Sequence, residues 1–178
     1  MVDFAKTRYL VMPGKIAYDL LKFSIVVLVV FHSKLSGADH DPDSLLNKLY
    51  TTSLPSEQIK INNLLAEAYV NSEPDRAEHF ARQAIFLSES IDDEQSKAIG
   101  LYYLAQIEQG RLNFDQSFLH LRTSRNLLRH TEEIRWLANV NLELSDEYKR
   151  QLEFGKSLDL LYQSIEIFTE LNDDRQIA

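Results

Sequence analysis

The sequence predicts an all-α protein, an α-α superhelix of about three stacked helix pairs that follows an N-terminal signal or anchor segment. Small residues recur at intervals of forty, as Ala77, Ser117 and Ser157 do. All four prolines lie before residue 75, so the longer C-terminal part lacks this helix breaker. Apolar residues there follow the i, i+3, i+4, i+7 spacing of one helix face, without sustained alternation. A fixed period of this length indicates stacked units rather than one globule.

The first 38 residues have a different character from the rest. Basic side chains outnumber acidic ones in residues 1–22, and the uncharged stretch 23–31 follows. Small residues, Ser36 and Ala38, then occupy the −3 and −1 positions of a cleavage site. This pattern is typical of a secretory signal peptide cleaved after Ala38, which predicts a periplasmic or extracytoplasmic protein. The apolar core is well short of the roughly 20 residues that a spanning helix needs.

Three alternatives to a cleaved signal remain open. An uncleaved signal anchor would attach the protein to the membrane through this N-terminal segment alone, and the long basic leader favours it. The β-branched run also suits a buried strand, although no later segment offers it a partner. A misassigned start codon would remove the segment from the protein altogether. A lipoprotein is excluded because the chain has no cysteine.

The remaining elements follow in order along the chain. A linker and short helix occupy residues 39–58, and the repeat domain occupies 59–178. Asp92 followed by Gln95 resembles a capping box, and Thr131 and Asn172 begin similar polar clusters one period apart. Helices are predicted at about 43–52, 56–71, 75–90, 93–110, 114–130, 133–151 and 154–171. The units run over about 59–91, 92–131 and 132–171, with the start of a fourth at 172–178.

The small residues have a packing role in this scheme. Where two helices cross closely, a short side chain lets the backbones approach to the near end of the usual 8–10 Å range. We expect serines at these crossings to return their hydroxyls to the carbonyl four residues earlier. The predicted packing positions are Ala66, Ala77, Ala84, Ala105, Ser117, Ser124, Ser145, Ser157 and Ser164.

At these positions the chain resembles the tetratricopeptide repeat (TPR) family. The first unit reads Leu65-Ala66 with Tyr69, and then Ala77, Ala81 and Ala84, in the family's order of large, small and aromatic residues. The resemblance covers residues 59–171. The forty-residue period is longer than the family's usual one and is similar to repeats in the sensor regions of bacterial signalling proteins. Glu108 replaces an expected aromatic residue and the family's proline is absent, so other helical-pair solenoids remain an alternative.

The resemblance implies a concave groove lined by the first helix of each unit. Such a groove suits an extended peptide or a partner helix, which side-chain hydrogen bonds and pockets would hold. The residues that the family register points into it are Asn63, Glu67, Tyr102, Gln106, Leu142, Asp146 and Lys149. Ala178 is the counterpart of Ala98 and Ala138, which predicts an unfinished fourth unit and self-association through the uncapped last repeat.

Sequence motifs for chemistry are missing. The five histidines show no metal-ligand spacing, and the chain has neither a phosphate-binding glycine loop nor a GxSxG element. We therefore expect no catalytic residues, no cofactor and no metal. The net charge of −8 argues against a nucleic-acid partner.

The sequence as a whole predicts a non-enzymatic, exported scaffold for protein–protein interaction. One form of it is the sensor part of a truncated bacterial signalling protein. The alternative is a cytoplasmic or membrane-tethered regulator or adaptor that binds a peptide or a partner helix.

Overall fold

The computed structural model describes the backbone of residues 41–177 and the side chains to residue 171. The predicted signal segment 1–38 and Ala178 lie outside the described residues. Within 41–177 the chain forms seven α-helices and no strand. They are α1 (Pro42–Thr51), α2 (Pro55–Tyr69), α3 (Pro74–Ser90), α4 (Glu94–Gly110), α5 (Phe114–Leu128), α6 (Ile134–Arg150) and α7 (Phe154–Ile177).

Neighbouring helices pack in pairs, so the predicted all-α repeat superhelix is confirmed. The pairs α2–α3, α4–α5 and α6–α7 have extensive contacts, and α3 packs almost as closely on α4. The contact between α5 and α6 is much smaller. Large buried side chains fill the interior from α2 to α6, among them Ile59, Leu65, Ile107, Leu121, Leu128 and Leu144. No helix within residues 41–177 is both long and apolar enough to cross a bilayer.

Helix starts follow local chemistry. Each of the first three helices begins with a proline, whose fixed φ suits the first helical position and whose missing N–H is not needed there. Asp41 caps α1 by accepting a hydrogen bond from the Ser44 amide at 3.1 Å. Every predicted helix bound except the last falls within two residues of the observed one.

The cap of α4 differs from the prediction by one residue. Asp93, not Asp92, accepts from the Ser96 amide, at 2.9 Å. Asp92 has a left-handed φ of 55° and belongs to the end of α3, because the following amide bonds back to the Ser88 carbonyl at 2.9 Å. The predicted pairing of Asp92 with Gln95 is therefore wrong: one aspartate ends a helix and the next begins another.

The two other predicted starts also differ. The Thr131 hydroxyl donates to the Leu128 carbonyl at 3.0 Å, and α6 begins later, at Ile134, without a side-chain cap. Asn172 begins no helix, since α7 continues without a turn to Ile177. No proline or glycine interrupts the sequence after Gly155, so no residue there stops the helix. The described backbone thus has no turn where the fourth unit was expected to begin.

A left-handed turn recurs with the forty-residue period. Leu112 and Leu152 have φ values of 64° and 62°, and both side chains are 73% exposed. The next amide in each case reaches back to close the preceding helix, with Asn113 bonding to Glu108 at 2.8 Å and Glu153 to Tyr148 at 2.9 Å. Leucine is an unusual residue for this conformation, which favours glycine.

All nine predicted packing residues are buried, with exposed fractions from 0 to 5%. The serine hydroxyls, however, bond mainly across helices. Ser124 donates to the Ala98 carbonyl at 2.7 Å, and Ser164 donates to the Ala138 carbonyl at 3.0 Å, one period later. Only Ser164 also bonds to the carbonyl four residues back. The predicted local bonding is wrong for Ser124, because the neighbouring helix approaches closely enough to offer an acceptor of its own.

The other two serine crossings use side-chain partners. The Ser145 and Ser157 hydroxyls lie 3.3 Å apart, across the α6–α7 pair. Ser117 lies 3.5 Å from a carboxylate oxygen of Glu147. Small residues at crossings therefore carry interhelical hydrogen bonds as well as close packing.

Candidate functional site

The first helices of the three units, α2, α4 and α6, contribute neighbouring side chains to one surface. Asn63 of α2 donates to the Ser96 carbonyl at the start of α4, at 3.1 Å. Gln106 of α4 lies 3.4 Å from the carboxylate of Glu143 on α6. We call this the α2–α4–α6 surface and define it by Glu67, Tyr102, Gln106, Leu142, Glu143, Asp146 and Lys149.

The seven residues predicted to line a groove have unequal access to solvent. Glu67, Asp146 and Lys149 are exposed, and Gln106 and Leu142 are half-buried. Asn63 and Tyr102 are buried, at 7% and 8% exposed. The Asn63 amide already serves the helix junction described above, so it belongs to the packing between units rather than to an open surface.

A hydrogen-bonded row links α4 to α6. The Gln106 amide donates to the Tyr102 hydroxyl at 2.8 Å, and the same nitrogen reaches towards Glu143. Farther along α6 the Lys149 ammonium pairs with Asp146 at 2.9 Å. These contacts hold the polar groups in defined positions on rigid helices, which lowers the entropy cost of binding a partner.

Three aromatic rings pack together next to this row. Tyr102 and Tyr103 pack edge-to-face on each other and on Trp136 of α6, with ring centroids 5.4 to 5.8 Å apart. Edge-to-face pairs add stability beyond their buried area. Trp136 of the third unit thus packs against the second unit.

The tyrosine hydroxyls stay protonated. Burial raises the pKa of Tyr102, and the charges of Glu143 and Glu67 raise it further. Burial likewise raises the pKa of Tyr103, with Glu67 adding to the effect. Both phenols are therefore neutral hydrogen-bonding groups at any physiological pH.

The charged side chains of the surface are mainly acidic. Glu67, Glu143 and Asp146 present three carboxylates against the single ammonium of Lys149, which Asp146 already neutralises. The arrangement offers carboxylate acceptors to a cationic partner, and it contains no nucleophile with an adjacent base.

Glu147 is a buried charged residue that the sequence pattern did not single out. It is 1% exposed, and its carboxylate accepts from Gln109 at 3.0 Å and from Arg150 at 2.6 Å. Ile107 occupies the equivalent position one unit earlier. Two features of the sequence could have indicated this buried carboxylate. A glutamate replaces an isoleucine at a core position of the repeat, and Arg150 follows it three residues later. Because its charge is paired and hydrogen-bonded, Glu147 joins α4 to α6 rather than serving a reaction.

No family model, curated protein or solved structure matches this chain.

Proposed function

We propose that this protein is a non-enzymatic, TPR-like interaction scaffold that binds a partner segment carrying basic side chains on its α2–α4–α6 surface. The observation that supports it is a group of three carboxylates on the first and third of these helices: Glu67 on α2, and Glu143 and Asp146 on α6. Glu67 and Asp146 are exposed, and Glu143 is half-buried. On α4, between them, the Gln106 amide contacts Tyr102 and Glu143, and the Tyr102 ring packs on Trp136.

The physical basis is charge complementarity on a pre-organised surface. Exposed carboxylates attract Lys and Arg side chains over distances of about one Debye length, roughly 8 Å at physiological salt. Such complementarity mainly accelerates association and selects the partner. Gln106, half-buried between the carboxylates, can bond to the partner's backbone. An extended peptide or a helix crossing α2, α4 and α6 would meet all of these groups.

Export is a second part of the proposal. It rests on the sequence of residues 1–38, which resembles a cleaved signal, and it accommodates a sensor role in a signalling protein. Intact-mass measurement on fractionated cells tests it, because export requires recovery outside the cytoplasm of a protein that lacks residues 1–38. Full-length protein in the cytoplasm would contradict export and leave the alternative of a cytoplasmic adaptor.

The binding proposal is tested with a fluorescent library of short peptides of defined charge. We expect peptides rich in Lys and Arg to bind, with affinity that falls as salt rises. Joint replacement of Glu67, Glu143 and Asp146 by their amides should weaken binding by about tenfold or more, which corresponds to about 1.4 kcal/mol. The matched control is Glu166→Gln, which removes one exposed carboxylate from α7 and should leave binding unchanged.

Tyr102→Ala is a poor test of the same surface. The ring is buried against Tyr103 and Trp136, so its loss would weaken folding together with binding. Equal binding of acidic and basic peptides, or an unaffected triple variant, would refute the proposal without this complication.

A further inference from the structure

A cavity of about 290 Å³ opens between α5, α6 and α7, and none of its lining residues belongs to the α2–α4–α6 surface. Its apolar part is formed by Leu144, Leu160 and the ring of Tyr148. Its polar part is formed by Arg122, Arg125, Asn126, Lys156 and Asp159. A concave site that combines an apolar wall with convergent polar groups is the usual form of a small-molecule site.

The cavity is cationic, although the chain as a whole carries −8. Its three basic side chains and one carboxylate, Asp159, leave a net charge of 3 − 1 = +2 on the lining. Glu153 lies outside the lining and pairs with the Lys156 ammonium at 3.3 Å, so that one cation is partly neutralised. The two arginines provide the remaining positive charge.

Arg125 is the central group. Its Nε donates to the amide oxygen of Asn141 at 2.7 Å, and its Nη2 donates to that of Gln163 at 3.1 Å. Both acceptors are neutral, so the guanidinium is held in place without a counter-ion. Burial is the main reason that the pKa of Arg125 lies below its usual value. A partly buried guanidinium with no carboxylate partner favours an incoming anion.

Arg122 completes the pair. Its guanidinium carbon lies 5.6 Å from the ring centre of Phe118, and among residues 41–171 it forms no ion pair. Arg82 occupies the same position one unit earlier and is bonded to Glu78 at 2.7 Å. The second unit therefore keeps the arginine and lacks its partner, because Phe118 stands where Glu78 does.

The repeat itself shows that the cavity is particular to this junction. We call the contact between units 1 and 2 the first junction and that between units 2 and 3 the second. Ile85 stands in the first junction where Arg125 stands in the second. Ile85 packs so closely on Gly100 that a Cβ added to Gly100 would lie 2.8 Å from Ile85 Cγ1. Val140 replaces that glycine one period later. Glycine with isoleucine closes the first junction, whereas valine with arginine accompanies the looser α5–α6 contact.

We propose that this cavity binds a small organic carboxylate, with its hydrocarbon body on Leu144, Leu160 and Tyr148 and its carboxylate facing Arg122 and Arg125. Arginine offers a planar fork of donors that matches a carboxylate. The volume is at the lower end of ligand sites, so one ring or short chain fits and a peptide does not. Such a ligand would join α5 to α7 and tighten the second junction. The inference is independent of the proposed peptide surface.

The test uses the purified full chain with benzoate as the probe, benzamide as its neutral analogue and inorganic phosphate as an anion without an apolar body. Calorimetry should show benzoate binding with a dissociation constant of about 1 mM or tighter, and binding should raise the melting temperature. Amide NMR shifts should localise the site to α5–α7. Benzamide and phosphate should each bind at least about tenfold more weakly.

Variants assign the role of each arginine. Arg122→Gln should weaken benzoate binding by about tenfold, whereas Arg82→Gln, its counterpart one unit earlier, should leave it unchanged. Arg122 forms no ion pair among residues 41–171, so its replacement should not prevent folding, and circular dichroism verifies this. Absence of benzoate binding at about 10 mM, equal binding of benzamide or of phosphate, or equal effects of the two substitutions would overturn the proposal.

Discussion

Gly100 offers a direct test of how the first two units are packed. It lies in the interior of α4, where a glycine usually costs stability, and alanine is normally the better residue. A Cβ at this position would lie 2.8 Å from Ile85 Cγ1 and 3.1 Å from the Ala81 carbonyl oxygen of α3. The first of these atoms belongs to a side chain that can turn, but the second belongs to the helix backbone.

Two opposing effects set the expected change in stability for Gly100→Ala. Alanine gains about 1 kcal/mol in helix propensity. Overpacking a close helix crossing costs about 1–3 kcal/mol, because α3 must move away from α4 by a few tenths of an ångström. We expect the overpacking cost to exceed the gain in helix propensity, with a net loss of about 1 kcal/mol. That loss corresponds to about a fivefold change in the unfolding equilibrium constant.

Urea unfolding followed by far-UV circular dichroism measures this loss. The fluorescence of Trp136, the only tryptophan, reports separately on the α4–α6 neighbourhood in case the units unfold one by one. The matched control is Gly155→Ala at the exposed start of α7, where no atom lies within 4 Å of the new Cβ. It should stabilise the protein by about 0.5 kcal/mol. A Gly100→Ala protein as stable as its parent would refute the close α3–α4 crossing.

Three further predictions concern single positions. Leu112→Gly should stabilise the protein by about 0.5–1 kcal/mol in urea unfolding, since it relieves a left-handed φ at an exposed side chain; a loss of stability would contradict this explanation. Ser157→Leu should lower stability by about 1–3 kcal/mol through overpacking against Ser145, and Ser157→Ala should lower it less. Equal melting temperatures for the two variants would refute a close helix crossing at Ser157. Burial lowers the pKa of His120 below 6.5, so the unfolded chain binds the proton more readily and stability should fall as pH drops through about 6.5. In His120→Asn that dependence should shrink, and an unchanged pH profile would exclude the histidine as its source.

The helix positions were predictable because their signals are local. Prolines at three helix starts and the 3.6-residue apolar spacing need only the neighbouring sequence. The end of α7 was not predicted correctly because an Asn-Asp-Asp cluster permits a helix start without requiring one. Asp92 and Asp93 show that local sequence also leaves single positions ambiguous. Two identical neighbouring side chains take opposite roles, because Asp92 adopts the left-handed conformation that ends α3 and Asp93 caps the start of α4.

The candidate surface was predictable only in part. The TPR-like register read from the sequence assigned side chains of α2, α4 and α6 to one groove. It gave no measure of how deeply each side chain is buried, and Asn63 and Tyr102 are buried. Glu143, which shares Gln106 with Tyr102, was not singled out because its contact joins residues 37 apart in the sequence. The buried carboxylate of Glu147 was missed for the same reason, since its partner Gln109 lies one unit away.

The forty-residue period by itself determined that the protein is a series of helix pairs with small residues at their crossings. Periodicity suffices for this because each unit repeats the same local folding problem. How tightly consecutive units meet was decided only in the tertiary structure. Gly100 with Ile85 closes one junction, and Val140 with Arg125 leaves a cationic cavity at the next. The distance between helices depends on pairs of side chains that meet across the junction, and neither member of a pair reveals that distance alone.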